Sequence, residues 1–159
     1  MTRVGHGFDA HRLVEGRALM LGGVRIPFDR GSLGHSDGDV LAHAIADALL
    51  GASALGDLGS RFPDSDPRWK DADSMELLGQ CADAVRSAGF TVVNVDATIV
   101  VERPKLAPFI QNIRENVASR LGIEPTCVGV KAKTSEGMGY TGDGTGIAAH
   151  AVALLSSVA

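Results

Sequence analysis

The sequence predicts a single α+β domain over residues 1–159, with a mixed sheet of four to five strands and helices on one face. Three observations carry that prediction. The segments read in the order β-β-α-α-β-α-β-β. Val93, Val95, Ala97, Ile99 and Val101 alternate with Asn94, Asp96 and Thr98, the period of a half-buried strand. Phe109, Ile113, Val117 and Leu121 step by four, the period of an amphipathic helix. A chain of 159 residues suits one domain.

Taken in order, residues 2–9 and 18–27 read as two strands joined by a polar turn at Gly16, the second closed by Pro27. Residues 28–35 are a Gly- and charge-rich loop. Ser36 is a plausible N-cap for a helix to about Leu50, with Asp39 in a capping-box-like position. Val40, Leu41, Ala44, Ile45, Ala48 and Leu49 then face the core, and Asp39, His43 and Asp47 share the opposite face. Residues 52–72 have no clear period and carry Gly56, Gly59, Pro63 and Pro67; a stretch of that kind in a small domain is functional or mobile. A second helix starts near Asp73 and stops at Gly89. The alternating strand follows and ends at Pro104, then the helix at about 107–121 closes at Gly122. Val128 and Val130 mark another strand, and residues 134–146 are Gly-rich. The apolar tail from Ile147 to Leu155 suits strand or helix equally.

Composition narrows the function. Hydrophobic residues make up 45 % and aromatics only 4 %, so the core is built from Val, Ile, Leu and Ala. The net charge of −4, with no basic run, argues against nucleic acid as the partner. Cys81 and Cys127 are far apart and fall in apolar patterns, so they read as buried free thiols in a reducing, cytoplasmic setting. There is no signal-peptide pattern and no apolar run near the ~18 residues of a membrane span.

Three clusters carry chemistry. Asp9 and His11 sit two apart, on one side of an extended segment, and His43 lies on a helix that can close on them. One carboxylate and two imidazoles leave an open position on a tetrahedral ion. The donor set suits zinc and also admits Mn²⁺ or Co²⁺; the bland alternative is surface residues met by chance. Asp47, one turn past His43, is placed to orient that imidazole. Asp57, Asp64 and Asp66 lie on a loop shaped by Gly and Pro, with Trp69 following, and could accept ligand hydroxyls or form a solvated turn. Thr134, Ser135 and Glu136 leave a strand and enter glycines whose amides can cradle an anion, or simply make a hairpin. His150, in the apolar tail, reads as buried or half-buried.

Together these segments resemble the 2-C-methyl-D-erythritol 2,4-cyclodiphosphate synthase family. The resemblance runs from Val4 to about Leu155 and rests on ordered motifs: Gly5-His-Gly-Phe-Asp-Ala-His11, Gly22-Gly-Val-Arg-Ile-Pro27, His35-Ser-Asp-Gly-Asp39 with His43, Asp47-Ala-Leu-Leu-Gly51 and Gly56-Asp-Leu-Gly59. Phe62-Pro-Asp-Ser-Asp-Pro67, Asn94-Val-Asp96, Arg103-Pro-Lys105 and Thr134-Ser-Glu136 complete it. It implies a homotrimer with active sites between subunits, and a small-molecule nucleotide diphosphate as substrate. Asp9, His11 and His43 are then the zinc ligands, Asp9 and His11 also touching substrate, and Glu136 holds Mg²⁺ or Mn²⁺ on the substrate diphosphate. His35 and Thr134 are the implied catalytic residues, stabilising the transition state. His35 and Ser36 contact the phosphate region, while Asp57, Leu58 and Gly59 meet the methylerythritol hydroxyls. Phe62, Pro63, Asp64, Ser65 and Asp66 form a mobile wall. A neighbouring subunit supplies the cytidine diphosphate pocket, from Val101, Arg103, Pro104, Lys105, Leu106 and Ala107 with Lys133, Thr134, Ser135 and Glu136; Tyr140 joins the substrate contacts. The implied reaction is attack of a 2-phosphate on a β-phosphorus with loss of CMP. A metal-dependent phosphodiesterase and a non-catalytic phosphometabolite-binding trimer are the competing readings.

Overall fold

The computed structural model describes all residues 1–159. Five strands form one mixed sheet: β1 (Thr2–Glu15), β4 (Arg30–Ser32), β5 (Phe90–Val100), β6 (Val128–Lys133) and β7 (Gly146–Ser157). Their order across the sheet is β4-β1-β7-β5-β6. Only β5 and β6 run parallel; the other pairings are antiparallel. The α+β class and the mixed sheet match the expectation from sequence.

The first strand is longer than residues 2–9. It pairs with β7 from Thr2 to Arg12, then continues beside β4 from Leu13 to Glu15. Residues 18–27 are not one strand but a small separate hairpin, β2 (Leu19–Leu21) and β3 (Val24–Ile26). Gly22 and Gly23 turn it, with φ of 56° and 73°, values that side-chain-bearing residues rarely adopt. The apolar tail is a strand, because β7 is paired on both sides, by β1 and β5, and closes the middle of the sheet.

Helix α1 (Val40–Ala52) begins at Asp39, not at Ser36. Asp39 is fully buried and caps the helix by accepting from the Ala42 amide at 3.0 Å. Its carboxylate also accepts from the Gly22 and Gly23 amides at 3.0 and 2.9 Å, so it pins the hairpin to the helix rather than lining a solvent face. Burial pushes the Asp39 carboxyl up to about 6, against the pull of those three amides.

α1 is buried nearly all round; only His43, Asp47 and Gly51 are not, and they share one stripe. It lies between the sheet and α3 (Ser74–Ser87), while α4 (Ile110–Leu121) covers β6. Leu41, Ile45, Leu49 and Leu50 are wholly removed from water, each worth about 1.5–3 kcal/mol. The approach of α1 to the sheet depends on two glycines. A Cβ on Gly5 would stand 2.0 Å from the Ala48 carbonyl oxygen, and one on Gly7 1.8 Å from that of Ala44.

The irregular stretch after α1 is built from capped turns. Asp57 caps α2 (Leu58–Arg61), and Asp66 caps a 3-10 turn at Pro67–Trp69. Residues Ala107–Phe109 are likewise 3-10, so α4 starts at Ile110. A last short helix, α5 (Gly139–Gly142), interrupts the Gly-rich segment before β7. No helix is long and apolar enough to cross a membrane. Cys81 is buried, and burial raises its thiol to about 11, whereas Cys127 is only half-buried.

Candidate metal centre and cleft

Strand alternation puts Asp9 and His11 on the face that Gly5 and Gly7 leave open to α1. The same close packing delivers His43 from the stripe of α1 that is not buried. The donor atoms of the three side chains lie within 4.8 Å of one another. Asp9 Oδ2 is 2.8 Å from His11 Nε2 and 2.9 Å from His43 Nδ1, and the two ring nitrogens are 3.3 Å apart.

The tautomers follow from what holds the far side of each ring. His11 Nδ1 is 2.8 Å from the Leu33 carbonyl, which can only accept, so the proton sits on Nδ1. Ser74 gives its hydroxyl proton to Asp37. Its oxygen therefore accepts from His43 Nε2 at 2.8 Å, with Ser36 Oγ at 3.2 Å beside it. Both neutral imidazoles thus turn a lone pair toward the carboxylate of Asp9. Three lone pairs aimed at one point repel unless a cation sits among them. Donors on one tetrahedral ion, with bonds of about 2.0–2.1 Å, stand about 3.3 Å apart. The His11–His43 separation has that value and the carboxylate separations fall a few tenths short, so the set fits a divalent ion.

Without an ion, protons take that role. Burial pushes Asp9 up, but its hydrogen bonds to His11 and His43, and their charges, outweigh it and hold the carboxyl at about 2. Burial lowers His11, yet the Asp9 hydrogen bond and charge win and raise it.

The centre opens into a cleft of about 380 Å³. His35, Ser36, Leu58, Gly59, Phe62, Asp64 and Trp69 line it with the three donors. Phe62 and Trp69 meet edge to face with centroids 4.9 Å apart, forming one wall. His35 is tied to that wall: its Nε2 donates to the Asp66 carbonyl at 3.3 Å. Asp66 in turn grips Arg68 through two hydrogen bonds of 2.9 and 2.6 Å. Asp57 is exposed at the start of α2, its carboxyl held down by the hydrogen bonds from Ser60. Pro63 and Ser65 complete the loop. Asp47 does not orient His43; it accepts the Leu58 amide at 2.7 Å and anchors α2. Ser74 and Asp37 do the orienting, and no spacing in the sequence marks that pair.

The remaining expected site residues lie elsewhere. Val101, Pro104, Lys105, Leu106, Ala107, Lys133 and Thr134 line a second cleft of about 230 Å³. Arg103, Lys105, Lys133, Thr134 and Glu136 are exposed. Ser135 hydrogen-bonds the Thr141 hydroxyl, and Glu136 takes a left-handed φ of 53°. Tyr140 is exposed on α5. Across the sheet, Asp9 faces Ala149, Ala149 faces Ile99, and Ile99 faces Ala132. Three strand spacings of about 4.8 Å put the two clefts of one chain about 14 Å apart. His150 is exposed, not buried, because its position in β7 faces away from the helices.

Fold and centre define a class: a small α+β protein with three convergent donors, able to hold a metal ion, at the mouth of a polar cleft. The chain belongs to the YgbB family, whose model matches residues 2–156. A 2-C-methyl-D-erythritol 2,4-cyclodiphosphate synthase of Trichlorobacter lovleyi is 60 % identical over 153 residues, 96 % of this chain and 98 % of that one. The bifunctional IspDF of Campylobacter jejuni superimposes with a TM-score of 0.95 at 43 % identity, over 99 % of this chain and 42 % of that longer one. The CDP complex of IspF from Plasmodium falciparum gives a TM-score of 0.86 at 32 % identity, over 99 % of this chain and 97 % of that one.

Proposed function

We propose that this chain, as a single domain over residues 1–159, converts 4-diphosphocytidyl-2-C-methyl-D-erythritol 2-phosphate into 2-C-methyl-D-erythritol 2,4-cyclodiphosphate and CMP. This is a phosphorus–oxygen lyase reaction of non-mevalonate isoprenoid synthesis, carried out in the cytoplasm without nucleic-acid or membrane partners. The observation that carries the reading is the convergence of the Asp9, His11 and His43 lone pairs at the mouth of a polar cleft.

Asp9, His11 and His43 would hold a divalent ion, zinc by their donor set, that would supply Lewis-acid polarisation of a phosphoryl oxygen, and Glu136 would hold Mg²⁺ or Mn²⁺ to neutralise charge on the diphosphate. The nucleophile, a phosphate, is already anionic at neutral pH, so the residues need only position it and stabilise charge. One phosphorus–oxygen bond forms, and the bond to CMP breaks. Asp57, Leu58 and Gly59 hold the methylerythritol hydroxyls. His35 and Ser36 face the phosphates, and His35 and Thr134 stabilise charge developing at phosphorus. The Phe62–Trp69 wall keeps water from competing.

The working unit is a homotrimer in which the 101–107 and 133–136 segments of one subunit complete the Asp9 cleft of the next. The separation of about 14 Å between the two clefts of one chain supports this, as do the exposed Val4, Phe8 and Val152 on the outer sheet face. The CDP bound to the Plasmodium falciparum relative supports a cytidine diphosphate pocket. Phosphorus NMR of the purified chain incubated with substrate and both ions tests the reaction. A cyclic diphosphate with stoichiometric CMP is expected. Open-chain monophosphates would identify a phosphodiesterase, and unchanged substrate a binding protein.

A further inference from the structure

Residues 33–36, between β4 and α1, all border the Asp9 cleft. They supply His35 and Ser36, and the Leu33 carbonyl holds His11 through Nδ1 at 2.8 Å. Side-chain packing does little to fix this segment. Leu33 is 51 % exposed, and Gly34 has no side chain to bury. Where its backbone groups find partners therefore decides where it lies. The Leu33 amide donates to the Arg12 carbonyl at 2.7 Å, and the His35 carbonyl accepts from the Asp71 amide at 2.8 Å. One side chain ties the two ends together. Arg17 Nε donates to the Ser32 carbonyl at 3.0 Å, and Arg17 Nη2 donates to the Ser36 carbonyl at 2.8 Å.

That bridge suits an arginine. Nε–H and the adjacent Nη2–H belong to one rigid, planar fork, so the guanidinium sets the distance between two acceptors. A lysine ammonium is a point charge on a flexible stem and fixes no such spacing. The base of the arm is itself seated on β4: a Cβ on Gly31 would stand 2.4 Å from the Arg17 carbonyl oxygen. Arg17 is half-buried, and Asp37 and Asp71 border the same small cleft of about 240 Å³. Its hydrogen bonds nevertheless go to the two carbonyls and not to those acids. At the other end, the segment lies against a metal donor. A Cβ on Gly34 would stand 3.1 Å from His11 Cε1, so displacing the segment displaces the ring.

We propose that Arg17 is a positioning residue for the reaction. By spanning Ser32 and Ser36 it sets the Leu33 carbonyl against His11, and His35 and Ser36 against the substrate phosphates. The effect on His11 rests on geometry alone; the effect on the phosphates rests on the synthase reading above. Arg17 acts only through the groups it places, so its loss falls on kcat more than on KM.

Two substitutions test this. Arg17→Lys keeps the charge and Arg17→Met keeps an apolar stem, but neither keeps the fork. Proton NMR of the zinc-loaded protein reads the His11 Nδ1–H that Leu33 holds. That proton should exchange slowly in the wild type and be lost or broadened in both variants. Zinc affinity should fall about 10-fold and kcat about 10- to 100-fold. Arg25→Met removes an exposed arginine from the neighbouring hairpin and should match the wild type throughout. Circular dichroism verifies folding; if the Met variant is lost, Arg17→Lys carries the same test alone. An unchanged His11 resonance overturns the proposal, as does wild-type kcat in Arg17→Lys, which would mean that the charge suffices without the fork. Failure of the synthase reading looks different: the wild type itself releases no CMP, while the His11 resonance and zinc affinity still respond to Arg17.

Discussion

Replacing Gly7 by alanine tests how the fold makes the metal centre. The new Cβ would stand 1.8 Å from the Ala44 carbonyl oxygen and 2.8 Å from the Ala48 nitrogen. Even a close carbon–oxygen contact needs about 3.3 Å, so α1 must retreat by about 1.5 Å. Both clashing atoms are backbone, so no rotamer change relieves them. His43 precedes Ala44 and moves with it. Its Nδ1 lies 2.9 Å from Asp9 and 3.3 Å from His11; adding about 1.5 Å leaves no point about 2.0–2.1 Å from all three donors. Overpacking of this kind costs about 1–3 kcal/mol. Zinc affinity should fall by about 100-fold or more, beyond the range for losing a supporting hydrogen bond. Urea unfolding of the metal-free protein reads the first quantity, and competition with a chromophoric chelator the second. Gly79→Ala is the control: its Cβ meets only Arg120 side-chain atoms at 3.8 Å, and helix propensity should stabilise it by about 1 kcal/mol. Wild-type zinc affinity in Gly7→Ala would refute the claim that close packing of α1 on β1 assembles the centre.

Ser74→Ala leaves the His43 Nε2 proton without its best acceptor, and zinc affinity should drop about 10- to 100-fold; an unchanged dissociation constant contradicts the assigned tautomer. pH should act in two windows on metal-free protein. Asp9, 27 % exposed and lowered from 3.8 to about 2, contributes about 2 kcal/mol that is present above pH 3.8 and lost as pH falls toward 2. His11 is raised above 6.5, so its contribution is complete below that pH and disappears as pH rises through its folded value. Urea melts should therefore show a maximum between about pH 4 and 6.5, and a curve still climbing from pH 6 to 9 would contradict the pair. Zinc shifts the optimum upward, because binding needs His11 deprotonated. Mixing His43→Ala with Glu136→Gln subunits should restore part of the CMP release that each lacks alone, if one site draws on two chains; a mixture as inactive as its parents rules out sharing.

The donor set is legible in the amino-acid sequence. Asp9 and His11 share a strand face by parity, and His43 with Asp47 shares a helix face by their spacing. What holds the donors is not legible there. Ser74, itself held by Asp37, meets His43 only through tertiary packing, 31 positions away along the chain. Asp39 reads as part of the polar helix face, yet it is a buried cap because the hairpin amides of Gly22 and Gly23 arrive from another element. The run 18–27 reads as one strand because Leu19, Leu21, Val24 and Ile26 make it largely apolar; the left-handed backbone of Gly22 and Gly23 folds it in two. In the tail, Ala and Leu carry helix propensity, and pairing on both edges overrides it. His150 follows the same logic: its apolar neighbours in sequence belong to a strand, and its own position falls on the outer face of the sheet.

The central claim is that Asp9, His11 and His43 hold the ion on which phosphoryl transfer depends. Measuring bound zinc and CMP release on the same samples of wild type and His43→Ala tests it most directly. The account predicts about one tightly bound ion per chain and CMP release in the wild type, and loss of both in the variant, with unchanged circular dichroism because the buried surface of α1 is intact. CMP release at the wild-type rate from His43→Ala in metal-free buffer would contradict it.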